Sequence, residues 1–392
     1  MNRLALRRIM AGSSPSEDLD AMRLQSESPG DRTVTREIRE AGSKTARERI
    51  LSLLDDGSFV EIDAFVRHRS GDHGMHLHNP LGDGVVAGHG MLDGRRVACF
   101  SQDFAVFSGT MGEMHAKKIC KILEFAEKAR LPVIGIWDGD GQRPHEGVTS
   151  LGPNGELLDL LVSCSGKVPI VSIVLGTVSG TSALAAGISD FVILDQQRGR
   201  MFMRSPYVIP EIISGEVDED TLGGASHHAS RSGVACMVSE SESGAFDIAA
   251  EILSFLPDHT MAEPPRLSTG DKWKRKCRGM SKLVPLDSDR PYDMRGVIAE
   301  VFDDKRFLEL FPSYAENVVV GFARLDGVPV GVVGNQPSVL AGCLDIDASV
   351  KAARFIRTCD CFNIPIVTFV DVPGFLPGTV QEWGGIIRHG AK

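Results

Sequence analysis

Two stretches of this chain superpose without a gap: Leu131–Gly147, LPVIGIWDGDGQRPHEG, and Ile364–Val380, IPIVTFVDVPGFLPGTV. Pro132 falls on Pro365 and Asp138 on Asp371, a constant offset of 233 (365 − 132). The register holds backwards, pairing Lys118 with Lys351 and Leu92-Asp93-Gly94 with Leu325-Asp326-Gly327. Even the apolar stripe recurs: Ile119, Ile122, Leu123 and Ala126 meet Ala352, Phe355, Ile356 and Cys359, the i, i+3, i+4, i+7 face of an amphipathic helix. One supersecondary unit is used twice, so whatever sheet and helix layers the first copy builds, the second must build again.

Around the repeat the pattern is α/β. Thr45–Leu54 predicts a short helix, with Thr45 as N-cap and Glu48 completing a capping box. Phe59–Ile62 reads as a strand, and Gly84–Gly88 and Arg96–Ser101 as a hairpin closed by Asp93-Gly94. A helix follows near Gly112–Arg130, then the apolar strand Val133–Trp137. Val168–Leu175 and Phe191–Leu194 read as further strands buried on both faces, separated by a small-residue turn at Gly176–Ala183. Ala245–Phe255 closes the first unit as a helix. Pro264–Pro285 lacks periodicity and reads as a linker, and the second copy begins at Pro291 with its helix at about Ala348–Phe362. The domain expectation is therefore a disordered arm at 1–35, an N-terminal domain at 36–258, a linker at 259–290 and a partial C-terminal domain at 291–392. The copies are unequal. The first continues past Gly147, whereas Lys392 equates with position 159 (392 − 233), so nothing corresponds to Gly176–Ala183. Either another chain supplies the rest, or the sequence is a fragment, or the second copy has lost half its chemistry.

Composition narrows the partners. A net charge of −10 argues against general nucleic-acid binding, and no apolar run approaches the roughly 18–20 residues needed to span a bilayer. Eight cysteines without CxxC or Cys/His ligand spacing fit thiols in a reducing, cytoplasmic compartment better than disulfides or zinc. The start, MNRLALRRIMAG, is either a frayed basic end or a mitochondrial transit peptide. His68, His73, His76 and His78 crowd one segment, but no second ligand set accompanies them; a polar loop, with no metal, is the expectation.

Side-chain catalysts are scarce: there is no GxSxG elbow, HExxH or Walker loop. What recurs is backbone. Gly139, Gly141 and Gly147 follow one strand, and a Gly/Ser/Thr cluster precedes the next helix. Strand ends feeding helix N-termini place unpaired N–H groups in a crevice. Two such groups on one oxygen would make an oxyanion hole worth roughly 3–4 kcal/mol per donor, suited to a thioester turning into an enolate. The same glycines also serve as plain turn punctuation.

At this point the residues resemble a known family, the carboxyltransferase β subunits of biotin-dependent acyl-CoA carboxylases of the propionyl-CoA carboxylase type. The resemblance is carried by TARERI at 45–50, GSFVEIDAF at 57–65, GDGVVAG at 82–88 and SQDF at 101–104. LGGASHHASRSGVA at 222–235, PYDMRGVI at 291–298, NQPSVLAGCLDIDASVKAARFIRTCD at 335–360 and FVDVPGFLPGTVQEWGGIIRHGAK at 369–392 extend it. It implies two crotonase-like domains built as superhelices of strand–strand–helix units, the second incomplete. It further implies acyl-CoA on the N-terminal domain, biotin borne by a partner biotin carboxylase/biotin carrier α subunit, and dimers stacked into hexamers. CO2 would pass from carboxybiotin to the α-carbon of propionyl- or acetyl-CoA.

By the resemblance, the backbone of Gly180 and Thr181 would form the thioester oxyanion hole. Gly139, Asp140, Gly141, Gln142, Arg143, Ser179 and Ser182 would border acyl-CoA, and Val372, Pro373, Gly374 and Phe375 would floor the biotin side. Departures fall on these loops: DGDGQRPHEG stands where the family usually has DSGGARIQEG, and GTVSGTS where it has a GPCAGGA-like turn. Asp140 would put a carboxylate near an incipient enolate, and Pro144 removes a backbone donor. Two further readings stay open. One is a non-catalytic paralogue within such a complex. The other is a biotin-independent decarboxylase or hydrolase, with Asp140 or His145 as base or Ser182 as nucleophile.

Overall fold

The computed structural model describes residues 14–204, 218–272, 274–287 and 290–392; the basic start Met1–Gly12 lies outside them. The chain opens with three helices: α1 (Pro15–Glu27), α2 (Arg32–Glu40) and α3 (Ala46–Leu53). The first two lie within residues 15–40, where the expected disordered arm covered 1–35, of which 1–13 are outside the described residues. The first has poor hydrophobic periodicity, and both begin at strong caps. Ser14 and Glu17 form a capping box, and the Asp31 carboxylate accepts from the N–H groups of Thr33 and Val34. Tertiary contacts then hold them: Asp31 N–H donates to the Ala105 carbonyl (3.0 Å), and Arg47 to that of Ser26 (3.1 Å). Helix α3 keeps the expected Thr45–Glu48 capping box.

An eight-stranded sheet follows. It consists of β1 (Val60–Glu61), β2 (Val85–Leu92), β3 (Arg95–Gln102), β4 (Val133–Gly139), β5 (Ile170–Ser179), β6 (Phe191–Asp195), β7 (Arg200–Phe202) and β8 (Met237–Ser239). Its order is β1-β2-β3-β4-β5-β6-β8, with β7 continuing beside β5. Strands β1 to β3 pair antiparallel, and every later pairing is parallel. Helices α4 (Glu113–Ala129), α5 (Leu151–Cys164), α6 (Gly180–Ile188) and α7 (Glu242–Phe255) connect and cover these strands. On α4 the stripe Ile119, Ile122, Leu123 and Ala126 is fully buried, each larger side chain contributing about 1.5–3 kcal/mol. Helix α5 went unforeseen, because its Gly152-Pro153-Asn154-Gly155 start reads as a turn. Once Pro153 sits in a first helical turn, its missing N–H costs nothing.

The second copy comprises α8 (Met294–Val301), β9 (Phe307–Leu310), β10 (Val318–Leu325), β11 (Val328–Asn335), α9 (Ile346–Cys361) and β12 (Ile366–Phe369), the strands ordered β12-β11-β10-β9. Both hairpins obey the offset of 233 at every boundary: 85 to 318, 92 to 325, 95 to 328 and 102 to 335. The backbone repeats down to its left-handed residues, with Asp93 and Asp326 at φ 49° and 51°, and Arg130 and Asn363 at 58° and 56°. The equivalence is looser on the helix surface, where Ile356 is exposed although its counterpart Leu123 is buried. The two units share one core. Phe322 of β10 stacks on Phe255 of α7 (centroids 5.4 Å) and touches Phe191 of β6 (6.0 Å) and Phe355 of α9 (5.2 Å).

Candidate active site

The parallel strands β4 and β5 end side by side, and a register shift between Trp137 and Gly139 brings Gly139, the last residue of β4, opposite Val178. Here the Gln102 side chain acts as a clip. Its Oε1 accepts from Asp138 N–H (3.1 Å), while its Nε2 donates to the Gly109 carbonyl (3.4 Å) and to His115 Nε2 (3.4 Å). Burial, then the nearby charges of Arg143 and Lys118, pushes His115 well below the usual imidazole range. The ring is therefore neutral, and its Nδ1 proton goes to the Asp83 carbonyl (3.1 Å). The second copy repeats the clip: Asn335 Oδ1 accepts from Asp371 N–H (3.3 Å) and Nδ2 donates to the Gly342 carbonyl (3.1 Å).

Beyond the clip, Gly141 adopts φ 68° and its carbonyl accepts from Met111 N–H (2.7 Å); Arg143 N–H donates to the Met111 carbonyl (2.9 Å). Leu344 makes the same two bonds with Gly374 (3.1 Å) and Leu376 (2.8 Å). Only glycine suits position 141, because a Cβ there would lie 2.9 Å from the Ser179 carbonyl.

Strand β5 runs through Ser179 straight into α6, so the expected turn at Gly176–Ala183 is not a turn. Val178 and Ser179 pair with Met201 and Phe202 of β7, which keeps the chain extended until Gly180, at φ 55°, swings it into the helix. The first N–H groups of α6, those of Gly180 and Thr181 among them, have no intrahelical acceptor and lie at the positive end of the helix dipole. Gly180 and Thr181 line a cleft of about 520 Å³ together with Asp140, Gly141, Gln142, Ser179, Leu184, Met203 and Arg204.

Six of the residues expected to border acyl-CoA or form its oxyanion hole thus share one cleft; three do not line it. Gly139 is buried behind the loop, its α-carbon packed so closely on the Gly109 carbonyl that a Cβ would collide. Arg143 points inward and is fully buried. It pairs with Asp83 (2.6 Å) and Glu146 (2.7 Å), donates to the Thr110 carbonyl (2.9 Å) and lies over the Phe107 ring. Glu146 in turn accepts from Glu113 N–H (2.6 Å) at the start of α4, so the Arg143–Glu146 segment braces the loop instead of touching ligand. Ser182 is buried in the first turn of α6, and its hydroxyl has no hydrogen-bond partner among the described residues. Leu184, Met203 and Arg204 were missed. Leu184 follows Gly180 by one helical turn and was legible in principle, whereas β7 spans three residues and carries no pattern.

Two carboxylates stand near the end of β4 with different fates. Asp138 is neutralised by the buried Arg49 (2.6 Å), which also holds Glu242 (2.9 Å). Asp140 is exposed, accepts from the Ser179 hydroxyl (2.6 Å) and has no cationic partner among the described residues. His145 packs its ring edge-on against His73 (6.5 Å), away from the cleft. Among the described residues no group of three or more His, Cys, Asp or Glu is placed to hold a metal, and no helix is long and apolar enough to cross a membrane. In the second copy, Val372–Phe375 forms an open apolar shelf: Phe375 is 54% exposed, and a Cβ on Gly374 would meet nothing within 4 Å.

A duplicated strand–strand–helix unit with an open helix N-terminus beneath a glycine loop defines a crotonase-like α/β protein. The chain belongs to the carboxyl transferase family, whose domain is matched over residues 37–392. It is 46% identical over 382 residues to a biotin-dependent acetyl-/propionyl-coenzyme A carboxylase β5 subunit of Mycobacterium tuberculosis, covering 96% of this chain and 70% of that protein. It is also 45% identical to the mitochondrial propionyl-CoA carboxylase β chain of Sus scrofa, covering 90% and 66%. A methylmalonyl-CoA decarboxylase subunit α of Veillonella parvula is 46% identical, covering 90% and 69%. The chain thus spans about two thirds of these relatives. Among solved structures, a transcarboxylase 12S hexamer core with methylmalonyl-coenzyme A and methylmalonic acid bound superposes with a TM-score of 0.94 at 40% identity, covering 97% of this chain and 74% of that one.

Proposed function

We propose that this chain is a carboxyltransferase subunit that places CO2 on the α-carbon of a short acyl-CoA such as propionyl- or acetyl-CoA. The observation that carries the reading is the N-terminus of α6, open to the cleft beneath the Asp140–Gln142 loop. A thioester oxygen seated there accepts from the N–H groups of Gly180 and Thr181, which are stationary dipoles aimed where enolate charge develops. Leu184 and Met203 give the acyl chain an apolar wall, and Arg204 sets a cation at the rim. The Gln102–His115 clip fixes the opposite wall through Asp138 N–H, so little reorganisation accompanies charge formation.

Biotin, named in the biotin-dependent relative of Mycobacterium tuberculosis and borne in this reading by a partner carboxylase/carrier subunit, would supply the CO2. The shelf Val372–Phe375 fits such a group, since its apolar side chains are part-exposed and the space above Gly374 is open. A homo-oligomer, from dimer to hexamer, is supported by the transcarboxylase 12S assembly. A cytoplasmic setting is supported by eight free thiols. The test is incorporation of labelled bicarbonate into propionyl-CoA by the chain together with a biotinylated partner and ATP. A partner that carboxylates its own biotin yet gives no labelled ester would sink the proposal.

A further inference from the structure

Asp140 is an anomaly in an anion-stabilising cleft. The other carboxylates bracing this loop are ion-paired: Asp138 with Arg49, and Asp83 and Glu146 with Arg143. Asp140 pairs with no cation among the described residues, yet it is held in place. Its N–H donates to the Ser108 carbonyl (3.4 Å), the next residue is pinned to Met111, and its carboxylate accepts from the hydroxyl of Ser179 (2.6 Å). Ser179 is the residue immediately before α6, so the carboxylate sits within one side chain's reach of the N–H groups of Gly180 and Thr181.

A fixed negative charge there would oppose a second negative charge on the thioester oxygen. The conflict disappears if the first charge is consumed as the second forms. Resting on the acyl-CoA reading above, we propose that Asp140 is a protein-borne base for the acyl α-carbon, letting this chain enolise a CoA thioester without biotin. The carboxylate takes the α-hydrogen as a proton, and the C–H electron pair moves into the enolate, whose oxygen lies on the α6 N–H groups. Charge is thereby transferred from Asp140 to the ester with none added. Because Asp140 is exposed, the captured proton exchanges with water, and its return regenerates the thioester. In deuterated water the product is the α-deuterated ester, and no other reactant is consumed.

The experiment incubates the full chain alone with propionyl-CoA in D2O and follows α-deuteration by mass spectrometry, with ester binding measured by calorimetry on the same samples. The expectation is exchange above the buffer rate, a fall of about 100-fold or more for Asp140→Asn, and partial recovery in Asp140→Glu. Ser179→Ala, which loosens the base without removing it, should fall less than Asp140→Asn. Wild-type chain that binds ester but exchanges no faster than buffer, or Asp140→Asn that binds and exchanges like wild type, overturns the assignment and leaves the carboxyltransferase reading standing. Failure of the wild-type chain to bind ester overturns both.

Discussion

Lys118 and Lys351 occupy equivalent positions on α4 and α9, and both ammonium groups are buried against backbone carbonyls. Lys118 donates to Val85 (2.5 Å) and Gly82 (3.2 Å), Lys351 to Tyr314 (2.7 Å), Phe311 (2.9 Å) and Ala315 (3.3 Å). Burial pulls both down to about 8 from an ordinary 10.5. Since the folded value lies below the unfolded one, folding favours the neutral amine. The cost of the buried charge is full below pH 8 and fades as pH rises towards 10.5, where the unfolded chain holds the extra proton. Buried thiols such as Cys99, pushed up to about 12, act the opposite way above pH 9. The difference between wild type and Lys118→Met therefore isolates the lysine, and urea midpoints should show the wild type gaining relative to the variant from pH 8 to 10.5. Arg143 offers a second test. Replacing it with Ala leaves Asp83 and Glu146 buried without their cation, so a loss of about 3–5 kcal/mol in urea unfolding is expected. The family resemblance placed Arg143 beside ligand, whereas the structure buries it against Glu146, three residues on, and Asp83, sixty positions back.

Among the elements, α6 carries the chemistry, and its donors are backbone groups that ordinary side-chain substitution leaves in place. Thr181→Pro removes one N–H, and a first helical turn tolerates proline because that donor has no intrahelical partner. Carboxyl transfer should then fall about 10²–10³-fold while the thermal midpoint moves little; an unchanged rate would show that Thr181 is not a donor to the oxygen. Helix α3 gives a milder contrast, since Thr45→Ala deletes a capping box far from the cleft and should cost about 1 kcal/mol by urea titration without altering turnover. Element boundaries were legible where local chemistry dictates them. Asp93-Gly94 and Asp326-Gly327 close hairpins of identical length, and α3 begins at its cap. They were illegible where a neighbour decides. Gly176–Ser179 has turn composition but stays extended because β4 and β7 flank it.

Over the whole molecule the two units behave as one body through Phe322, fully buried between Phe255, Phe191 and Phe355. Phe322→Ala should cost about 3–5 kcal/mol and keep a single cooperative transition, which calorimetry would register. Two separate transitions would mean that the shared core does not couple the units. The duplication, the hairpins and repeated helices within it, and the family follow from the sequence by itself, because periodicity, turn residues and motif order are local properties that survive without contacts. Tertiary structure alone decided the roles around Leu131–Gly147. Which of Asp138 and Asp140 is neutralised, which way Arg143 points, and whether Gly180 ends a turn or opens a helix all depend on groups remote in sequence. Charge pairing and strand flanking are set by what folding brings within a few ångströms.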